Sequence, residues 1–113
     1  MALYQRITLT AGILLILSGC THLTQLVVYQ HHGHVIAASL FGLAYCAIGI
    51  LLVIEKQWVL WIAALLPLIG GILGTIRFIY MHPNPFSFFH VLLDLIIVPC
   101  CMYVLIRRKD GGR

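Results

Sequence analysis

Charged residues are scarce in this sequence: they make up 9% of its 113 residues, and only three of them are acidic. Soluble domains usually carry about 25% charged residues, so this composition cannot supply a water-facing surface. Hydrophobic residues make up 62%, and the mean hydropathy is +1.05. The composition therefore predicts an integral membrane protein.

Sequence motifs of several function classes are absent as well. The chain contains no CxxC, HExxH or GxGxxG motif, and no stretch in which aromatic and basic residues alternate. We therefore expect neither an independent enzyme nor a nucleic-acid-binding protein. The cysteines lie in apolar runs without the spacing of a zinc or redox site, which is typical of small buried side chains: Cys20, Cys46, Cys100 and Cys101.

Apolar residues form four runs, each close to the about 20 residues that cross a bilayer as one helix. The predicted helices cover about residues 7–29, 35–54, 58–80 and 86–106. Because short links make consecutive helices antiparallel neighbours, the sequence predicts an all-α, up-down-up-down four-helix bundle with very short loops. Residues 1–113 would then form a single transmembrane domain. Small residues in the second and third helices predict close helix packing: Ala38, Gly42, Cys46, Gly49, Gly70 and Gly74.

Lysine and arginine predict the orientation of this bundle. All but one of these residues fall on one side, and the loops of the opposite side contain none: Arg6, Lys56, Arg107, Arg108, Lys109 and Arg113. Cytoplasmic loops are enriched in lysine and arginine, so both termini are expected to be cytoplasmic. The histidine-rich link around Gly33 is then expected outside, as a solvated loop or as a metal-binding or pH-sensing segment through His31, His32 and His34.

The first predicted helix allows a second interpretation. Residues 17–20, Leu-Ser-Gly-Cys, resemble the lipobox of a bacterial lipoprotein, and this resemblance implies that Cys20 would be lipidated and become the N-terminus. However, apolar sequence continues to Tyr29, and the rest of the chain is itself polytopic. We therefore expect a retained first helix in a multi-pass protein of a prokaryotic cell membrane.

Polar residues converge in one half of the predicted bundle. Asp94 is the only acidic residue at membrane depth, and His90 lies one helical turn before it on the same face. His22 in the first helix and Arg77 in the third fall in the same half of the bilayer. The fourth helix neighbours both of these helices, so the four side chains can meet.

Three interpretations of this convergence stay open. The first is a buried ion pair between Arg77 and Asp94, with the histidines hydrogen-bonded nearby. The second is a metal site, since His22, His90 and Asp94 are suitable ligands for copper, iron or zinc. In a variant of the second, His22 and His90 are axial ligands of a haem. The third is proton movement through Asp94 and His90.

Two local resemblances bear on transport. Residues 70–78, GGILGTIRF, resemble the glycine–arginine motif of fluoride channels, although that motif belongs to their first helix. In length and helix count the chain is similar to small multidrug transporters, but it lacks the glutamate that they need in the first helix. Neither resemblance identifies a family.

These observations predict a small accessory or structural subunit of a larger membrane complex. Such a subunit would contact lipid and other membrane subunits, and it could assist a metal, haem or quinone site. The alternative is a small homo-oligomeric ion channel or proton-coupled transporter.

The orientation can be tested with reporters fused to the chain. We expect a reporter after Arg113 to be cytoplasmic and a reporter inserted at Gly33 to be external, because of the distribution of lysine and arginine. Compartment-specific labelling of each fusion measures this. A Gly33 reporter found in the cytoplasm would contradict the predicted orientation.

Overall fold

The computed structural model describes residues 3–30, 33–54, 56, 58–81 and 85–110, and of these the side chains of all but 81 and 108–110. Expectations for His31, His32, Arg113 and most of the residues in the links lie outside this part. The helices are α1 (Leu3–Val28), α2 (Gly33–Val53), α3 (Val59–Ile76) and α4 (Pro85–Asp110), and α3 continues into a π-helical turn, Arg77–Met81.

The predicted four-helix membrane bundle is confirmed. Each of the four helices is long and apolar enough to cross a membrane. The helix ends differ from the sequence expectation, since α1 begins at Leu3 rather than near residue 7 and α4 continues to Asp110 rather than to about residue 106. Hydropathy measures the length of the apolar run, whereas helical hydrogen bonding continues into the polar interface beyond it.

The antiparallel order of the helices gives the bundle two distinct ends. The terminal end carries the start of α1, the link between α2 and α3, and the end of α4. The far end carries the α1–α2 link, the π-helical turn and the start of α4. Which end faces the cytoplasm stays a prediction.

The most extensive helix contact joins α1 to α2, and glycines form its centre. A Cβ atom on Gly19 would lie 2.6 Å from the carbonyl oxygen of Gly42, and a Cβ atom on Gly42 would lie 2.8 Å from the carbonyl oxygen of Gly19. Gly12 and Gly49 form an equivalent pair two helical turns away, with corresponding distances of 3.0 and 2.6 Å. The two backbones are therefore in direct contact, as in other membrane helix pairs built on small residues.

The other helix pairs differ in the extent of their contact. α3 packs mainly on α4, α1 also packs on α4, and α2 makes much less contact with α3. The bundle therefore consists of two hairpins, α1–α2 and α3–α4, that are joined chiefly through α1 and α4. A crevice remains between α2 and α3.

The interior changes character along the bundle axis. Its terminal half is apolar and is filled by Ala11, Leu15, Ile48, Leu52, Val59, Leu60, Ala63, Ala64, Ile97, Cys101 and Val104. The buried polar side chains of the far half are Ser18, His22, Gln25, Ser39, Arg77, Ser87, His90 and Asp94. Among the described side chains Thr8 is the one buried polar residue of the terminal half, and its hydroxyl donates to the Tyr4 carbonyl at 2.8 Å.

The glycine contact can be tested by adding one methyl group. We expect Gly19→Ala to lower the free energy of unfolding by about 1–3 kcal/mol, because the new Cβ would meet the backbone of α2. Gly33→Ala is the matched control, since nothing lies within 4 Å of a Cβ at that position. Unfolding in a membrane mimetic measures both. Equal stability of the two variants would contradict the close backbone contact.

Candidate functional site

Two histidines from different helices form the centre of the polar half. The rings of His22 on α1 and His90 on α4 are stacked, with centroids 3.5 Å apart and planes at 7°. The ring of Tyr45 on α2 meets His22 edge-on, with centroids 5.2 Å apart. Three helices therefore meet at this stack, which ties α4 to the α1–α2 hairpin.

Hydrogen bonds to α1 fix the orientation of both rings. The Nδ1 atom of His22 lies 2.7 Å from the Ser18 carbonyl oxygen, which can only accept, so Nδ1–H donates. The hydroxyl of Thr21 donates to the same carbonyl at 2.9 Å. Because the hydroxyl hydrogen of Thr21 is used in that bond, the Thr21 oxygen is the acceptor for His90. The Nε2–H group of His90 donates to it at 2.6 Å. Each histidine thus uses one ring nitrogen for a hydrogen bond within the bundle.

This stacked geometry does not suit a shared metal ion. An imidazole lone pair lies in the plane of its ring, so two parallel stacked rings cannot both point at one ion about 2.0 Å away. The same argument applies to axial ligation of a haem iron. Among the described residues, no group of three or more His, Cys, Asp or Glu side chains could hold a metal ion. The structure therefore does not arrange His22, His90 and Asp94 as a set of ligands.

Asp94 has a tyrosine partner. The hydroxyl of Tyr45 donates to Oδ1 of Asp94 at 3.4 Å, and Asp94 is 5% exposed. Two adjacent glycines of α3 face this pair. A Cβ on Gly70 would collide with the Tyr45 hydroxyl, and a Cβ on Gly71 would lie 3.5 Å from Oδ2 of Asp94.

Arg77 has other partners. Its Nε donates to Nδ1 of His34 at 2.9 Å, and its Nη1 donates to the Ser87 hydroxyl at 3.3 Å. The predicted ion pair with Asp94 is not formed between these two described residues. Asp94 lies beside Gly71, which is six residues before Arg77 and therefore roughly 9 Å away along the axis of α3. The side chain of Arg77 instead forms its hydrogen bonds at the far end of the bundle.

A cavity of about 240 Å³ connects these polar groups to the crevice between α2 and α3. Its polar lining comes from α1, α2, α4 and the π-helical turn: His22, His34, Arg77, Ser87 and His90. The other walls are apolar or small: Ala37, Ala38, Phe41, Gly70, Leu73, Gly74 and Ile76. Pockets for drug-sized ligands have about 300–1,000 Å³, so this cavity suits a small polar group rather than a haem.

A larger groove, of about 450 Å³, lies between α3 and α4. Asp94 is at one of its walls, and the rest is apolar apart from Thr75. The hydroxyl of Thr75 donates to the carbonyl of Gly71 at 2.8 Å, within its own helix. This groove therefore offers a ligand little besides an apolar surface.

Sequence reasoning identified part of this site. It expected His22, His90, Asp94 and Arg77 in one half of the bundle, and the structure brings the two histidines together while it gives Arg77 and Asp94 separate partners. It missed Tyr45 and Ser87. A signal existed for Ser87, because positions 87, 90 and 94 share one helical face. Another existed for Tyr45, a tyrosine that lies mid-helix instead of at the membrane interface.

No protein-family model, curated protein or solved structure matches this chain. What it does must therefore be inferred from the site. The features that bear on function are the stacked histidines with their hydrogen bonds, and the cavity beside them, which has polar side chains on part of its wall.

Double-mutant cycles test which partner Asp94 has. We expect Tyr45→Phe and Asp94→Asn to be coupled by about 0.5 kcal/mol or more in the free energy of unfolding, because the two side chains are in contact. The effects of Arg77→Gln and Asp94→Asn on the free energy of unfolding should be additive to within about 0.5 kcal/mol, as expected for separate sites. A larger coupling for the arginine pair than for the tyrosine pair would reinstate the buried ion pair.

Proposed function

We propose that this chain is a non-catalytic accessory subunit of a larger membrane assembly, and that it holds a small polar group in the far half of its bundle. The observation that carries this proposal is the division of the interior. Polar side chains from α1, α2, α4 and the π-helical turn surround a cavity in the far half, whereas the terminal half is packed with apolar residues.

This division supports binding rather than conduction. A path for ions or protons needs polar groups or water along the whole bilayer. Here the polar groups reach about as deep as Tyr45 and Asp94, and the described interior beyond them contains apolar side chains and Thr8, whose hydroxyl is bonded within its helix. A channel or proton-coupled transporter of this sequence would have to open that apolar half.

The short links between the helices support an accessory role. The described chain is almost entirely helical, and these links offer hardly any surface outside the membrane. The four helices would therefore meet a catalytic or transporting partner inside the membrane. The exposed side chains of its helices are mostly apolar, so lipid and membrane-embedded partners both fit them.

The proposal can be tested by extracting the tagged chain in native lipid discs and measuring the mass of the particles. We expect a membrane protein of different sequence in constant stoichiometry with this chain. An unrelated four-helix protein with the same tag and expression level is the control. A particle that contains only copies of this chain would contradict the accessory role.

Flux measurements test the distinction between binding and conduction. Proteoliposomes of the purified chain should pass protons and small ions no faster than protein-free vesicles do, because the terminal half is closed by apolar packing. Asp94→Asn should leave this background unchanged. Flux that requires Asp94 would contradict the proposal and favour a proton-coupled transporter.

A further inference from the structure

Arg77 carries a charge that its hydrogen-bond acceptors do not balance. The side chain is 7% exposed, and the acceptors of its Nε and Nη1 hydrogens are His34 and Ser87. A histidine whose Nδ1 accepts a hydrogen bond has no proton on that atom, so its ring is neutral. The serine hydroxyl is neutral as well. Arginine cannot lose its own charge in a protein, so the guanidinium stays cationic.

The sequence contains no acidic residue that is available to neutralise the charge of Arg77. Its three acidic residues are Glu55, Asp94 and Asp110. Glu55 belongs by sequence to the link between α2 and α3, and Asp110 ends α4, so both belong to the terminal end. Asp94 lies beside Gly71 and accepts from Tyr45. A buried charge without a partner is strongly unfavourable, and an anion from outside the chain would remove that cost.

The remaining donor of Arg77 marks where such an anion would bind. The Nη2 atom is buried and has no hydrogen-bond partner in the described part of the chain. Arg77 also lines the cavity of about 240 Å³, together with Ser87 and the histidines. An oxyanion in this cavity could accept from Nη2, and the neighbouring polar side chains would complete its surroundings.

The position of the cavity points to the source of the anion. Arg77 lies four residues before Met81, the last residue of the π-helical turn, and hence roughly 6 Å from the far end of that helix. Lipid phosphates lie just outside the hydrocarbon core at this level. The cavity adjoins the crevice between α2 and α3, where Phe41, Leu73 and Ile76 provide apolar walls. A lipid could therefore place its phosphate at Arg77 and its acyl chains along the crevice.

We propose that the cavity at Arg77 binds the phosphate of an anionic membrane lipid. Guanidinium groups bind phosphate through paired, charge-assisted hydrogen bonds, which lysine cannot reproduce. The volume of the cavity suits a headgroup and not a whole cofactor. This inference rests on the proposed function, since it names the group that the polar half of the bundle holds.

The test compares lipids and variants in nanodiscs of defined composition. We expect the wild-type chain to retain phosphatidylglycerol through delipidation and to melt at a higher temperature with it than with phosphatidylcholine. Native mass spectrometry and thermal unfolding provide the two readouts. Arg77→Gln should weaken phosphatidylglycerol binding at least about tenfold, because a charge-assisted hydrogen bond is lost. Arg77→Lys should retain only part of the binding, since lysine keeps the charge but lacks the guanidinium group that forms paired hydrogen bonds.

Arg107→Gln is the matched control, because Arg107 is exposed near the terminal end and lies 5.9 Å from the Tyr103 ring. It removes the same charge and should leave phosphatidylglycerol binding unchanged. Inorganic phosphate added to phosphatidylcholine discs tests the other source of the anion. If it produces the same Arg77-dependent stabilisation and phosphatidylglycerol adds nothing, the lipid assignment is wrong and the site belongs to a free anion.

Two further outcomes would overturn the proposal. One is equal binding of phosphatidylglycerol and phosphatidylcholine by the wild-type chain, a comparison that requires no variant to fold. The other is equal loss of phosphatidylglycerol in Arg77→Gln and Arg107→Gln, which would indicate general attraction to an anionic bilayer. Both leave the partner and flux experiments untouched, so failure of the lipid site is distinguishable from failure of the accessory role.

Discussion

A polar group inside a bilayer has no water to bond with, so it must find a partner within the protein or in a bound ligand. The arrangement of this bundle follows from that constraint. His22 and His90 bond to α1 at Ser18 and Thr21, and Asp94 accepts from Tyr45. The hydrogen bond of His22 lies within α1, whereas those of His90 and Asp94 join different helices. Among the described side chains two depart from the rule, since both amide atoms of Gln25 and the Nη2 atom of Arg77 are buried without a hydrogen-bond partner, and of the two only Arg77 carries a charge.

Glycines make these contacts possible because they let helices approach until their backbones touch. A Cβ on Gly42 would lie 2.6 Å from the Cβ of His22, so His22 fits against α2 only because Gly42 has no side chain. On α3, Gly70 leaves room for the Tyr45 hydroxyl, and Gly71 faces Asp94. The glycines therefore determine how closely the helices approach, and this distance decides which polar side chains can form hydrogen bonds with each other.

The sequence was sufficient to predict four antiparallel membrane helices, because the length and apolar character of a run determine a membrane span almost by themselves. It also placed Asp94 and His90 on one face, since that follows from helical periodicity alone. The rotation of each helix about its axis could not be predicted in this way. It depends on packing at positions such as Gly19 and Gly42, which hydropathy does not register.

The expected pairing of Arg77 with Asp94 illustrates the same limit. Opposite charges in the same half of the bilayer, on neighbouring helices, made it a reasonable prediction, but depth along an axis does not determine the direction of a side chain. In the structure Asp94 is level with Gly71, and Tyr45 reaches it from α2. The stacking of His22 on His90 was equally inaccessible, because it requires the relative rotation of α1 and α4. Sequence therefore identified which residues are polar and how deep they lie, but not which of them touch.

The end of α3 connects the backbone to the candidate site. Regular α-helical geometry gives way to a π-helical turn at Arg77, whose backbone N–H reaches the carbonyls of Gly74 and Leu73. Such turns are rare and are found frequently at functional sites, because they redirect side chains that a regular helix would place elsewhere. The residue at which the helix changes is also the residue with the unbalanced charge. A purely structural arginine near a helix end would extend toward water. Arg77 is instead held inside the bundle by His34 and Ser87, and this favours a ligand as the reason for its position.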